Sequence, residues 1–174
     1  MVLHLPPLLR LLAFIGCYWL LDAGYFQVPD HTLANTVYYH GVTKVCAWLI
    51  NHLFNGENVS AFQNQLISAT GNANLQVVRG CDGSGALFLL LAAIAAFPAR
   101  LLWKLQGWFC GAVFIYAVNL IRIGGLYFVV AYRPGWFELI HVYLAPTLII
   151  ILVCIFYGWW ATQAQAYGPS TAAD

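Results

Sequence analysis

Residues 107–131 read GWFCGAVFIYAVNLIRIGGLYFVVA, an apolar run broken only by Asn119 and Arg122. A helix crossing ~30 Å of hydrocarbon needs ~20 such residues, so this stretch reads as a transmembrane span and decides the fold class. Outward from it, residues 8–28 and 139–160 read the same way, and a shorter run at 84–98 is closed by Pro98. Of the 174 residues, 62% are hydrophobic and only 7% charged, with a mean hydropathy of +0.76. Soluble domains carry about 25% charged residues. The chain therefore lacks a surface for water, and its net charge of +1 offers no field for a nucleic-acid backbone. The expectation is an all-α integral membrane protein, one membrane domain over residues 1–174 with about four transmembrane helices and membrane lipid as its surroundings.

The segments between the spans have their own patterns. Arg10 precedes the apolar run Leu11 to Leu21 as in a signal peptide, but no small-x-small cleavage site follows, which favours an uncleaved helix. In residues 33–54, Tyr38, Val42, Val45, Leu49 and Leu53 recur at helical spacing, with His40, Lys44, Asn51 and Asn55 opposite. This predicts an amphipathic helix lying at the interface, a fifth span being the alternative. Farther on, QLIS and LQVV flank Gly71-Asn72-Ala73-Asn74, which predicts a small β-hairpin leading to Cys81. Such a hairpin would shape a groove for an extended peptide over residues 64–78. Residues 161–174 read as a disordered tail.

Charges orient the chain. Arg10, Arg100 and Lys104 fall on one side, and Lys44, Arg79 and Arg133 on the other, with the basic residues of the short loop weighing most. That reading puts the amino terminus in the cytoplasm and residues 29–83 outside.

In that topology three reactive side chains share the outer face. Cys81 stands just before the second span and His141 at the start of the fourth. Arg122 lies fifteen residues into the third, or ~22 Å along a helix, within reach of the same surface. Alone, Cys81 reads as a small residue in a turn and His141 as an interfacial histidine. Arg122 is different, because a charge in an apolar span costs roughly 2.5 kcal/mol or more and usually faces a site or partner. Asn119, one turn earlier, is placed to hold the guanidinium. Glu138, three residues before His141, is in position to orient the imidazole, though a solvated carboxylate at a helix start is the favoured reading of it. Asp82 beside Cys81 opposes thiolate formation, whereas the start of a helix favours it. Cysteine, histidine and arginine are the parts of acyl transfer: nucleophile, general acid/base and oxyanion or substrate stabiliser. The five cysteines form no C-x-x-C pair, and His4, His31, His40 and His52 show no ligand spacing. No metal or cofactor is expected, and a quinone-linked dithiol oxidoreductase is disfavoured.

The blocks Val77-Val78-Arg79-Gly80-Cys81-Asp82-Gly83, Ala96-Phe97-Pro98, Asn119-Leu120-Ile121-Arg122-Ile123 and His141 resemble the exosortase/archaeosortase family of membrane cysteine transpeptidases. The likeness covers residues 77–160, about half the chain, at a size similar to the compact variants. It implies Cys81 as nucleophile, Arg122 as active-site arginine and His141 as active-site histidine. It also implies a prokaryotic cytoplasmic membrane and protein substrates with a carboxy-terminal sorting signal (a short Pro-containing motif, a transmembrane helix and a basic cluster). The new carboxyl end would pass to an acceptor nucleophile whose identity stays open. Many members have Cys-Ser-Gly or Cys-Thr-Gly where this chain has Cys81-Asp82-Gly83. The competing reading is a non-catalytic membrane assembly or export factor in which Arg122 pairs with a partner's helix.

Overall fold

A computed structural model describes residues 6–54 and 56–166. In chain order the elements are α1 (Pro7–Phe26), α2 (the helical rod 30–53), β1 (Val59–Phe62), β2 (Gln65–Ser68) and β3 (Asn74–Gln76). There follow α3 (Ser84–Ala96), α4 (Leu101–Tyr132) and α5 (Pro134–Ala166). Three of these, α1, α4 and α5, are long and apolar enough to cross a membrane, while α3 is apolar but only 13 residues long.

The short helix is the inner one. It packs against α1, α4 and α5, and Leu90, Ala92 and Ile94 are fully buried, as expected of a helix that is hydrophobic all round. Its carboxy-terminal carbonyls would be orphaned in an apolar setting. Lys104 Nζ donates to one of them, that of Ala95, at 2.6 Å, and Trp108 Nε1 donates to the Leu91 carbonyl one turn further in, at 3.0 Å. Where α4 passes α5, Trp160 lies over Gly107, at which a Cβ would come within 2.5 Å of the indole. Leu90, Ile94, Ile115, Ile149, Val153 and Trp160 form the core of this helical end.

A second core lies at the other end of α4, where Ile123, Leu126 and Tyr127 pack beneath α2 and the sheet. At 32 residues, α4 is ~48 Å long; it starts before the expected span of 107–131 and reaches beyond a ~30 Å hydrocarbon layer. The sheet is an antiparallel meander in the order β1-β2-β3, with Leu66 paired to Leu75 and Val59 to Ser68. The expected hairpin is β2–β3, but its second strand leaves the ladder after Gln76, and a further strand, β1, lies on the other side of β2. Asn51 holds β1 in place: its amide donates to the Val59 carbonyl at 2.9 Å and its Oδ1 accepts the Val59 N–H at 2.8 Å.

Several expectations require correction. In α2 the buried residues include Tyr38, Val42, Cys46, Ala47 and Ile50, while Leu53 is 68% exposed. The cause is that residues 33–43 wind as a π-helix, whose i→i+5 turns shift the face and bury Leu33, Tyr38 and Thr43 at five-residue spacing. Asn55, expected on the polar face, lies outside the described residues. The tail expected from residue 161 is helical through Ala166, with Ala164 buried; 167–174 lie outside the described residues. The fourth run starts at Pro134 through a 3₁₀ turn and a π-helical stretch over Leu139–Leu144.

Gly83 joins the two cores. It opens α3 with φ +80°, and a Cβ there would meet Asn119 Cγ at 2.9 Å. Left-handed backbone costs an L-residue ~1–2 kcal/mol, and the clash adds to it. Gly83→Ala should lower the thermal midpoint in detergent by an amount corresponding to about 2 kcal/mol or more. Gly85→Ala, where nothing lies within 4 Å, should leave it unchanged or raise it. Equal midpoints for the two variants would contradict this account of the helix start.

Candidate active site

The loop carrying Cys81 is shaped before any chemistry is considered. Arg79 Nη1 donates to the Tyr25 carbonyl and Nη2 to that of Val28, both at 2.7 Å, while Nη2 also meets Asp30 Oδ1 at 2.7 Å. The guanidinium lies over the rings of Tyr25 and Phe26, 4.8 and 5.0 Å from their centroids. It thus closes the end of α1 and anchors the chain two residues before Cys81. The chain then turns, the Cys81 N–H donating to the Val78 carbonyl at 3.0 Å, and enters α3 through Asp82 and Gly83.

Two side chains one turn apart on α4 hold this turn from below. Arg122 Nη1 donates to the Cys81 carbonyl at 3.1 Å, and Asn119 Nδ2 to the Asp82 carbonyl at 2.8 Å. Opposite them, His141 Nε2 stands 3.2 Å from Cys81 Sγ. The imidazole is stacked on Phe137, four residues earlier, with centroids 5.0 Å apart and planes 8° from parallel. It sits in the π-helical stretch of α5, a form of helix frequent at functional sites.

Cys81, Arg122, His141 and Asn119 are therefore brought together. Glu138 is not, for its side chain is exposed and forms no hydrogen bond to the imidazole among the described residues. The wide turn that follows it rotates position i+3 off its face, and Phe137 takes the supporting place. Three buried polar atoms lack a hydrogen-bond partner among the described residues: Asn119 Oδ1, Arg122 Nε and His141 Nδ1. All three belong to this cluster. A groove of about 360 Å³ between α4 and α5, lined by Ile121, Gly125, Ile140 and Leu144, starts beside Arg122.

The sequence reading missed the surroundings of Asp82. Its Oδ2 accepts hydrogen bonds from the hydroxyls of Tyr25 and, at 3.1 Å, Tyr38. Its Oδ1 accepts from Ser84 Oγ at 2.8 Å and Ser84 N–H at 3.3 Å. The carboxylate is committed to the start of α3 and to a tyrosine pair rather than to the thiol. Burial, then the Tyr25 hydrogen bond and the Asp82 charge, push the Tyr38 phenol above its ordinary value, so it remains a neutral donor. The only forward signals were tyrosines at helical positions next to the loop, a pattern shared by many interfacial aromatics.

Among the described residues no group of three or more His, Cys, Asp or Glu side chains is placed to hold a metal ion. The arrangement is a thiol–imidazole pair beside a cation. Burial pushes the Cys81 thiol up, the Arg122 guanidinium pulls it back, and the Asp82 charge adds to the rise. The net direction is upward, so the resting group at neutral pH is the thiol. Cys46, buried beneath α2 and pushed up to about 12 by that burial, is an inert packing residue by comparison.

Because the thiolate is the reactive form, iodoacetamide alkylation of Cys81, followed by peptide mass spectrometry, should rise with pH. Its midpoint should lie above the ~8.5 of an unperturbed thiol. Arg122→Gln removes the lowering charge and should move the midpoint higher; an unchanged or lower midpoint would contradict the assigned electrostatics. No protein-family model, curated protein or solved structure matches the chain.

Proposed function

We propose that the chain is a membrane-embedded cysteine endopeptidase or transpeptidase that cleaves a carboxy-terminal sorting signal of exported proteins. In this reading α1, α3, α4 and α5 are four spans of a prokaryotic cytoplasmic membrane, and the site faces the extracytoplasmic side. The observation that carries it is the 3.2 Å approach of Cys81 Sγ to His141 Nε2, with the Cys81 backbone fixed by Arg122.

The chemistry follows from the resting protonation. As Sγ attacks the scissile carbonyl, its proton passes to His141 Nε2, the C–S bond forms and the carbonyl π pair moves to oxygen. Arg122 lies beside the sulfur and supplies a fixed cation to stabilise that oxyanion. Collapse breaks the C–N bond, and the imidazolium returns its proton to the leaving amine. The amino-terminal part of the substrate is left as a thioester on Cys81. An acceptor amine or water then attacks the thioester with His141 as base, releasing the thiol. Asn119 and Asp82 position the loop and take no part in proton transfer.

The groove next to Arg122 also supports the runner-up, an assembly factor in which Arg122 pairs with an acidic residue of a partner's helix. The two readings part on mutation. With a co-expressed protein ending in a Pro-containing motif, an apolar helix and a basic cluster, Cys81→Ala should leave the precursor unprocessed on immunoblots. Arg122→Lys keeps the charge but loses the planar fork, and should slow processing roughly 10²-fold while membrane insertion is unchanged. Normal processing in Cys81→Ala would sink the enzyme reading. Loss of assembly in Arg122→Ala with Cys81→Ala silent would establish the runner-up.

A further inference from the structure

A polar cleft of about 500 Å³ lies on the sheet side of the Cys81 loop, lined by Asp30, Tyr38, Gln63, Asn64, Gln76 and Arg79 among others. Its character differs from the apolar grooves along α4. Arg79 and Asp30 are paired with each other, so the cleft offers little net charge. What it offers instead is carboxamides. Asn64 spends its amide on the Val77 carbonyl at 2.7 Å, whereas the side chains of Gln63 and Gln76 are exposed and have no hydrogen bonds among the described residues.

Gln63 is the unusual member. It is the only non-glycine residue with positive φ among the described residues, at +52°, in the two-residue turn between β1 and β2. Glycine would occupy that conformation without strain, and hairpin turns favour Gly, Asn or Asp there. The turn is held by buried Thr43, whose hydroxyl donates to the Gln63 carbonyl at 2.7 Å. A strained position that lines a cleft and carries a free carboxamide is a pointer to binding rather than to stability.

The strand beside it has a free edge. The Val77 N–H bonds to the Asn64 carbonyl and the Ser68 N–H to that of Ala73. The alternation of an antiparallel pair therefore turns the backbone N–H and C=O of Asn74 and Gln76 away from β2. The same backbone continues through Val78 and Arg79 to Cys81, while Tyr38 of the cleft wall bonds Asp82. Neutral carboxamides and an unpaired strand edge are complementary to one chemistry above others, an extended polypeptide backbone.

We infer that this cleft and the edge of β3 form the subsite for the acyl side of the substrate, taking several residues amino-terminal to the scissile bond in extended form. The inference rests on the reading of Cys81 as the nucleophile. It gives the thioester intermediate a place to be held, because Val78 and Arg79 of the cleft wall are three and two residues before Cys81.

The probes are acetyl-alanyl chloromethyl ketone and acetyl-tetraalanyl chloromethyl ketone, applied to the full chain in detergent. Sulfur displaces chloride from the methylene carbon to give a thioether, followed at Cys81 by peptide mass spectrometry. The tetrapeptide reagent should react about tenfold faster or more than the single-residue one. Gln63→Gly should lower that ratio several-fold and keep or raise the thermal midpoint, since strain is relieved. Gln76→Ala should lower the ratio in the same sense. A ratio near one in the unaltered protein, or an unaltered ratio in Gln63→Gly, overturns the subsite while leaving the nucleophile in place. Failure of both reagents to alkylate Cys81 overturns the nucleophile and the subsite together.

Discussion

The carbonyls of Cys81 and Asp82 are held by Arg122 and Asn119, two side chains one turn apart on a single helix. Around that clamp the rest of the structure is arranged. Asn119 is 4% exposed, in a predominantly apolar helix, where leaving a buried polar group unsatisfied costs ~1–3 kcal/mol. Its amide donates to the Asp82 carbonyl, which keeps the loop against α4. Gly83 allows this by opening α3 in the left-handed region with no Cβ to strike Asn119. The thiol is thereby fixed to the longest continuous α-helix of the described residues although it sits on a loop.

Other parts bring the partners to that fixed point. Lys104 and Arg122 are eighteen residues apart on α4, ~27 Å of helix, so a ~30 Å hydrocarbon layer beginning at Lys104 ends close to Arg122. The helix then continues into the second core, where α2 and the sheet cover it. That cover positions Tyr38 over Asp82 and Thr43 beneath Gln63. Asp82, which resembles a defect beside a nucleophile when read from sequence, is an N-terminal support for α3. Its two oxygens are engaged by Tyr25, Tyr38 and Ser84, and it acts on the thiol through its charge alone.

What was legible in the sequence was whatever depends on local pattern or on the cost of a misplaced charge. Apolar runs of sufficient length identified the long helices, and Arg122 stood out because an apolar span does not carry arginine without reason. Turn-forming Gly and Asn residues between the strand-like QLIS and LQVV revealed the β2–β3 hairpin. The remainder depends on contacts between distant residues or on departures from ideal helical period. The π-helical winding of 33–43 moved the buried face of α2, and that of 139–144 separated Glu138 from His141; neither has a periodic signature. The grip of Arg79 on the end of α1 and the tyrosine pair on Asp82 are pairings across 44 to 57 residues, and the inner position of short α3 is set by packing against α1, α4 and α5 together. A single sequence gives no means of reading them.

The central claim is that Cys81 carries the substrate as a thioester while His141 moves the proton. Hydroxylamine added during processing of a protein with the carboxy-terminal signal tests it most directly, because it attacks a thioester and leaves the product with a hydroxamate at its new carboxyl end. Mass spectrometry of the released product should show that hydroxamate in place of a free acid or native acceptor, with its amount rising with hydroxylamine concentration. A product that carries only the free acid at every hydroxylamine concentration would contradict a thioester on Cys81 and the account built on it.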